Sequence, residues 1–500
     1  MPHLNWVLPL FVLLIASFIV EGFLKPKPQT VWQREWQAVA LTLLILVGLF
    51  SFYVAITQRV WLAAMLTLGL PSLLTIVSRE KFKHLREPLI FTDWRYFIEV
   101  IRYPSLYIPY FGVARALSFL FGFIALLVTW LFLEPVQDDT AATLFTGLLI
   151  CALTWLTSTQ ILLRWLVARR YLEPIQDQKD WAGLAMHRVY FWQLNQSHST
   201  QAHSTPFISL RPPAGELPDI ICIQAESFVD WRRWRLTDID TGFASTSYLN
   251  WNTLRAECVA SGPLHVPAWG ANTIRTEFAV LTGLTQLDLG VHRFDPYRTW
   301  FKSRPVQKFI TLPIELLPFG YNATFIHPYK AAFYDRHVAI PKLGFRRFID
   351  ETAFMKSDYA NTYIGDAAVG QKILEQLDST KPSFIYAVTM QGHGPYAPAH
   401  TNAIELLERY NHCMQSTDQM LGVLRDALKG RKRPSVLCVF GDHIPILPPV
   451  YEKWDHIDGR TDYLVWQNGC KPNMDVSPSH SEKRADELRS IILRASGFTS

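Results

Sequence analysis

Five long apolar runs dominate the first third of the chain, at about Leu4–Phe23, Ala38–Ile56, Val60–Val77, Ala116–Leu133 and Ala141–Ala168. A helix needs roughly 20 apolar residues to cross a bilayer, and each run comes close to that length or exceeds it. A buried core helix would also read as apolar, but five such runs in a row predict a multi-pass α-helical membrane domain over residues 1–168. Met1–Trp6 carries no basic stretch and no small-residue cleavage site follows it, so the first run reads as a retained span. Arg164 sits near the end of the fifth, where its long side chain can snorkel to the interface.

The pattern changes after residue 168. Residues 169–216 form a connector. As far as Trp192 it is mixed and reads as a helix lying on the membrane, whereas Ser197–Pro206, with His198 and His203, is Ser/His/Thr-rich and reads as linker. From residue 217 to 500 short apolar runs alternate with amphipathic ones, which predicts an α/β domain with a mostly parallel central sheet flanked by helices. Asp219–Ala225, Ala323–His327, Phe384–Thr389, Ser435–Gly441 and Tyr463–Trp466 are the strand candidates. Asn402–Lys429 reads as a long helix, with Leu407, Tyr410, Met414, Leu421, Leu424 and Leu428 on one face and Gly430 as its stop. Ser481–Ala495 reads as a closing helix ended by Gly497.

Composition agrees with the two-part reading. Hydrophobic residues make up 49% of the chain, and the surplus lies in the N-terminal third. The net charge of +5 is mild and gathers near the spans, so nothing marks a nucleic-acid binder. Arg232, Arg233 and Arg235 with Trp231 and Trp234 form a basic-aromatic cluster that reads as a loop or substrate rim. The six cysteines, Cys151, Cys222, Cys258, Cys413, Cys438 and Cys470, contain no Cys-x-x-Cys pair, which argues against a zinc ribbon or thioredoxin site; a disulfide among Cys258, Cys413 and Cys470 stays open.

Candidate chemistry collects at strand ends. Asp219–Ala225 runs into Glu226, and Ser435–Gly441 runs into Asp442 and His443. Open α/β sheets place their sites at that edge. Thr273 follows a flexible Gly270–Asn272 turn and precedes an apolar stretch, Thr276–Leu284, that reads as a helix. A hydroxyl at a helix N-terminus is well placed to attack phosphorus, because the free N–H groups favour the developing anion. Glu226, Thr273, Asp442 and His443 would offer three oxygens and one nitrogen, a set suited to Mn²⁺ or Zn²⁺ more than to Ca²⁺. His327 and His393 each follow a strand at the same edge, and Arg336 is a fork-shaped phosphate binder nearby. Both histidines suit the work of a cationic donor or a leaving-group acid. Taken singly, each of these residues could equally be a cap, a salt-bridge partner or a packed histidine.

Together the motifs carry a resemblance. Gly270-x-x-Thr273-x-x-x-Glu277-Phe278, the strand ending in Glu226-Ser227, and Phe440-Gly441-Asp442-His443 resemble the lipoteichoic acid synthase and phosphoglycerol transferase family, membrane-anchored members of the alkaline phosphatase and sulfatase superfamily. The resemblance covers about residues 217–497. It implies an alkaline phosphatase-like, sulfatase-like fold for that region, with Thr273 as nucleophile. It also implies one divalent metal, Mn²⁺ ahead of Zn²⁺ or Mg²⁺, held by Glu226, Thr273, Asp442 and His443. His327, Tyr334, Arg336 and His393 fall on the family's substrate-binding positions, with Tyr334 in place of tryptophan, Gly392 of asparagine and Tyr396 of phenylalanine.

The activity implied is transfer of a phosphoglycerol or related group from a phospholipid donor, phosphatidylglycerol first, to a glycan or glycerol-phosphate acceptor. The place implied is a bacterial inner membrane, with the catalytic domain extracytoplasmic. Loop charges point to the opposite orientation. The Ser78–Arg115 loop carries Arg79, Lys81, Lys83, Arg86, Arg95, Arg102 and Arg115, whereas Glu134–Thr140 carries Glu134, Asp138 and Asp139 with no Lys or Arg. With the domain outside, the basic loop would lie along the outer headgroups, with Tyr103, Tyr107, Tyr110 and Ile108–Phe111 at the interface, and could meet anionic donor lipid. The alternatives are a phosphodiesterase on the same scaffold, a phosphoethanolamine transferase, and a membrane scaffold with an inactive domain.

Overall fold

The computed structural model describes residues 6–104, 106, 113–137, 139–166, 172–196, 210–237, 246–303, 310–360, 362–378, 380–398, 401–468 and 479–499. Tyr107, Tyr110, the Ile108–Phe111 segment, Asp138, the Ser197–Pro206 linker with His198 and His203, and Cys470 lie outside them. The chain divides into two compact units, Met1–Ser197 and His198–Ser500.

In the first unit, helices Val7–Glu21, Trp36–Thr57, Val60–Leu85, Val113–Leu133 and Thr140–Leu166 occupy the five apolar runs. Among the described residues three candidate spans, not five, are long and apolar enough to cross a membrane: Trp36–Thr57, Val60–Leu85 and Thr140–Leu162. Val7–Glu21 and Leu117–Leu133 are apolar but shorter. Helix Trp36–Thr57 packs along Thr140–Leu166 at a close crossing made by small residues. A Cβ on Gly147 would stand 2.6 Å from the Ser51 carbonyl oxygen, and one on Gly48 would stand 2.6 Å from Thr154 Oγ1.

The basic loop expected from Ser78 begins instead as helix, because Val60–Leu85 runs two turns further than its apolar stretch. Lys81 is buried there and bonds Asp93 at 2.6 Å, Glu87 at 2.9 Å and the Pro88 carbonyl at 3.0 Å. A buried ammonium persists only when paired in this way, so Lys81 is engaged inside the unit rather than presented to lipid. Helix Trp94–Arg102 then exposes Trp94, Ile98 and Ile101, spaced as one helical face. The first part of the connector forms helices Pro174–Trp181 and Gly183–Gln196. They pack into the unit, where Trp181 and Trp165 both donate an indole N–H to Glu35.

The second unit is built on one sheet. Its strands are β1 (Asp219–Ala225), β2 (Ala260–His265), β3 (Asn322–Ile326), β4 (Arg347–Ile349), β7 (Ser383–Val388), β8 (Ser435–Gly441), β9 (Thr461–Gln467), β10 (Ser479–His480) and β11 (Lys483–Arg484); β5 (Tyr359–Ala360) and β6 (Tyr363–Ile364) form a separate small hairpin. The order is β10-β2-β9-β8-β1-β7-β3-β4, with β11 also on β2. From β8 to β4 the neighbours are parallel, and β9 pairs antiparallel with both β8 and β2. Every residue of β1, β7 and β8 is buried, which is why these strands read as unbroken apolar runs rather than alternating ones.

Helix Ala403–Lys429 covers the sheet with the face anticipated, and Asn402 caps it by accepting from the Ile404 and Glu405 amides. The closing helix is shorter than expected. Ser481–Glu487 contributes β11 and one 3₁₀ turn, so the α-helix starts only at Leu488, because Lys483 and Arg484 continue the edge of β2. Cys151, Cys222, Cys258, Cys413 and Cys438 are free thiols.

Candidate active site

Four parallel neighbours, β8, β1, β7 and β3, end at one edge of the sheet, and each is followed there by chemically active side chains. Glu226 follows β1, Asp442 and His443 follow β8, His393 lies beyond β7, and His327 follows β3. The edge is therefore assembled by strand register, from residues far apart in the chain.

Glu226, Asp442 and His443 are buried and come together, with one ligand-type atom from each within 4.8 Å of the others. Asp442 Oδ1 is satisfied by the Ser227 and His443 amides, both at 2.9 Å. Its Oδ2 is fully buried and accepts no hydrogen bond; its neighbour is His443 Nε2 at 3.3 Å, which also lies 3.6 Å from Glu226 Oε1. His443 Nδ1 donates to the Ile444 carbonyl at 3.1 Å, which turns Nε2 toward the carboxylates. Two carboxylates and one imidazole nitrogen thus converge in a buried site. Burial, and then the Asp442 charge, hold the Glu226 carboxyl well above the usual carboxylate range. A divalent cation resolves both features, and two carboxylates with one imidazole fit it. Asp442→Ala and Glu226→Ala are each expected to lower metal affinity by more than the roughly 10–100-fold that loss of an outer-shell partner costs. Elemental analysis of the purified protein checks this, and unchanged metal content in both variants would place the ion elsewhere.

Thr273 is brought to this group by its helix, which spans Thr273–Thr282 and so begins three residues earlier than the apolar stretch suggested. Asn272 takes the left-handed conformation at φ 67°, turning the chain into the helix at Thr273 itself. Two bonds pin the N-terminus to the strand ends: Thr276 Oγ1 donates to the Asp442 carbonyl at 2.6 Å, and Gln224 Nε2 donates to the Thr273 carbonyl at 3.1 Å. Thr273 is 8% exposed.

Of the residues expected to bind substrate, His327, Tyr334 and Arg336 form a second connected group, and His393 has separate partners. Arg336 is buried and grips Glu277, with Nη2 to Oε2 at 2.9 Å and Nε to Oε1 at 3.4 Å, while its Nη1 donates to His327 Nε2 at 3.1 Å. Tyr297 also donates its hydroxyl to Glu277 Oε1. His393 Nδ1 lies 2.6 Å from the Gly394 carbonyl and 3.2 Å from the Tyr363 hydroxyl. Burial pushes His393 down to about 4, and burial with the Arg336 charge holds His327 well below the usual imidazole range. Both shifts favour the neutral imidazole, and Arg336 brings a guanidinium charge to His327. Tyr334, at φ 57°, is flanked by the guanidinium groups of Arg298 and Arg336.

Gly392 has a local reason. A Cβ there would stand 2.2 Å from the Glu226 carbonyl oxygen, so this backbone approach excludes the asparagine of the resembled pattern.

Glu277, Tyr297, Arg298, Thr276 and Tyr363 were not singled out by sequence reasoning for any role. The one available signal was Glu277 inside the Thr273 motif, one helical turn beyond the hydroxyl. The basic-aromatic cluster is largely tied into the fold. Trp231 and Trp234 are buried, Arg232 is paired with Asp230 at 2.7 Å, and Arg233 with Asp462 at 3.1 Å.

Comparison with known proteins gives a family match and several likenesses. The sulfatase family model matches residues 218–494. The capsular polysaccharide biosynthesis protein RkpI of Rhizobium meliloti (strain 1021) is 28% identical over 449 residues, spanning 83% of this chain and 79% of that protein. A second protein of that strain, provisionally named for cyclic beta-1,2-glucan modification, is 25% identical over 532 residues, spanning 93% of this chain and 80% of its own. Among solved structures, the integral membrane lipooligosaccharide phosphoethanolamine transferase A of Neisseria meningitidis aligns with a TM-score of 0.50 at 12% identity, over 92% of this chain and 96% of that one. At that identity the likeness is one of fold.

Proposed function

The chain belongs to the sulfatase family, and on that premise we propose that it transfers a phosphoglycerol or related phospho-alcohol group from a membrane phospholipid to a cell-surface or periplasmic glycan or polymer. The observation that carries the reading is the Thr273 helix N-terminus pinned beside buried Glu226, Asp442 and His443. Thr273 Oγ attacks the donor phosphorus, the lipid alcohol departs, and a phosphothreonine remains until an acceptor hydroxyl takes the group. The helix N–H groups favour the phosphoryl anion. Arg336 supplies fixed positive charge beside it, oriented by Glu277 and His327. Tyr334 lines the headgroup side, and His393, uncharged at rest, takes the proton of the attacking hydroxyl and passes it to the departing one in each half-reaction.

A divalent metal, with Mn²⁺ favoured over Zn²⁺ or Mg²⁺, would be held by Glu226, Asp442, His443 and the Thr273 hydroxyl, and would lower the pKa of that hydroxyl. The two shorter apolar helices complete five spans of a bacterial inner membrane, and residues 217–500 lie on its outer side, where surface glycans are. The names of the two Rhizobium relatives, one for capsular polysaccharide and one for cyclic glucan, support a glycan acceptor.

Full-length protein in vesicles carrying headgroup-labelled phosphatidylglycerol or phosphatidylethanolamine tests the reading, with and without added periplasmic glucan. The expected result is label on the glycan from phosphatidylglycerol. Release of label only as the free headgroup phosphate, glycan or not, would make the protein a phosphodiesterase, and transfer only from phosphatidylethanolamine would change the group transferred.

A further inference from the structure

Tyr334 and Asp335 are consecutive non-glycine residues in the left-handed region, at φ 57° and 55°. L-residues rarely adopt that conformation singly, and two in succession persist only where their surroundings hold them. This turn delivers Arg336, whose reach to Glu277 and His327 depends on where the turn places it.

Helix Pro296–Ser303 supplies the hold. Arg298, 7% exposed, sets its Nε 3.2 Å from Asp335 Oδ2 and its Nη1 3.5 Å from Asp295 Oδ2. Its guanidinium carbon lies 5.6 Å from the Tyr334 ring centroid, and that of Arg336 lies 5.4 Å from the same centroid. The preceding residue, Tyr297, bonds Glu277. Two adjacent residues of one short helix thus grip the nucleophile's helix and the Tyr334–Asp335 turn.

We infer that Arg298 is a positioning residue for donor recognition: it fixes the left-handed Tyr334–Asp335 turn, and through it Tyr334 and Arg336, to which the proposed function gives the headgroup and the donor phosphate. The inference rests on the proposed transferase reading for its donor, but its structural half does not. A guanidinium serves this better than an ammonium, which could keep the Asp335 pair while losing the reach to Asp295 and the contact with Tyr334.

Arg298→Gln and Arg298→Lys in the full-length protein test it with two readouts. Amide exchange at Asp335 and His337, whose N–H groups bond the Ala332 and Ala331 carbonyls, should accelerate by at least about tenfold in Arg298→Gln relative to the amides of β1 and β8, with Arg298→Lys in between. For phosphatidylglycerol in vesicles, KM should rise at least about tenfold while kcat falls less, at unchanged metal content, as expected when binding rather than chemistry is lost. A stable, metal-loaded Arg298→Gln protein with unchanged exchange and unchanged KM overturns the inference. Faster exchange in the variants, with no lipid cleaved even by the wild type, leaves Arg298 in its structural role and overturns the transferase reading instead. If Arg298→Gln fails to fold, Asp335→Asn removes the same pair from the exposed side, and unchanged exchange and KM there count against the inference equally.

Discussion

Thr273→Ala is expected to abolish turnover of a labelled phospholipid, by at least about 10⁴-fold, the scale on which loss of an enzyme nucleophile is felt. The fold should barely notice. Thr273 is the first residue of its helix, with Asn272 at the cap, and alanine is the better helix former there by a few tenths of a kcal/mol. The helix stays pinned, because the bonds that pin it use the Thr276 hydroxyl and the Thr273 carbonyl, neither of which the substitution removes. Thr273→Ser, which restores a hydroxyl without the methyl group, should recover part of the activity and trap label on the protein. Full turnover in a folded Thr273→Ala protein would move the nucleophile elsewhere and take the phosphothreonine with it.

Glu277→Ala is expected to cost about 3–5 kcal/mol of stability, the penalty for leaving a buried charge without its partner. Arg336 and Glu277 are 1% and 0% exposed at the side chain, so bulk water cannot replace the lost carboxylate. Denaturant unfolding of the detergent-solubilised protein reads the loss. Glu277→Ala/Arg336→Met should be less destabilised than Glu277→Ala, because no uncompensated charge remains. Equal loss in the single and double variants would mean that Glu277 acts through packing and Tyr297 rather than through Arg336.

The parallel core of the sheet and the edge that carries the candidate site are legible in the sequence because the signal there is local. A strand buried on both faces reads as an unbroken apolar run, and the polar residue that ends the run is at the sheet edge by construction, which placed Glu226, Asp442, His443, His327 and His393. The grip on Arg336 was not legible. Glu277 and Arg336 are 59 residues apart, and Tyr297 and Glu277 are 20 apart, so no periodicity links them. The burial that neutralises both histidines likewise depends on tertiary packing. Two local readings slipped for local reasons. Apolarity marks where a helix is buried rather than where it begins, so the helix start was placed at Thr276 instead of Thr273. The same cue truncated Val60–Leu85 and turned Lys81 into loop. In the opposite direction, the polar stretch Ser481–Glu487 was absorbed into a helix when it is sheet edge, because two-residue strands leave almost no pattern.

The crossing of Gly48 and Gly147 bears on how the chain is made. Helix Trp36–Thr57 enters the bilayer long before the ribosome has synthesised Thr140–Leu166, and until then its Gly48 face meets lipid tails or insertion machinery instead of Thr154. The Gly48 groove is therefore filled late, by the last of the long apolar helices, with Pro174–Trp181 and Gly183–Gln196 still to follow. An internal deletion or misinsertion that spares residues 217–500 but loses Thr140–Leu166 would leave the Gly48 face without its Thr154 neighbour for good.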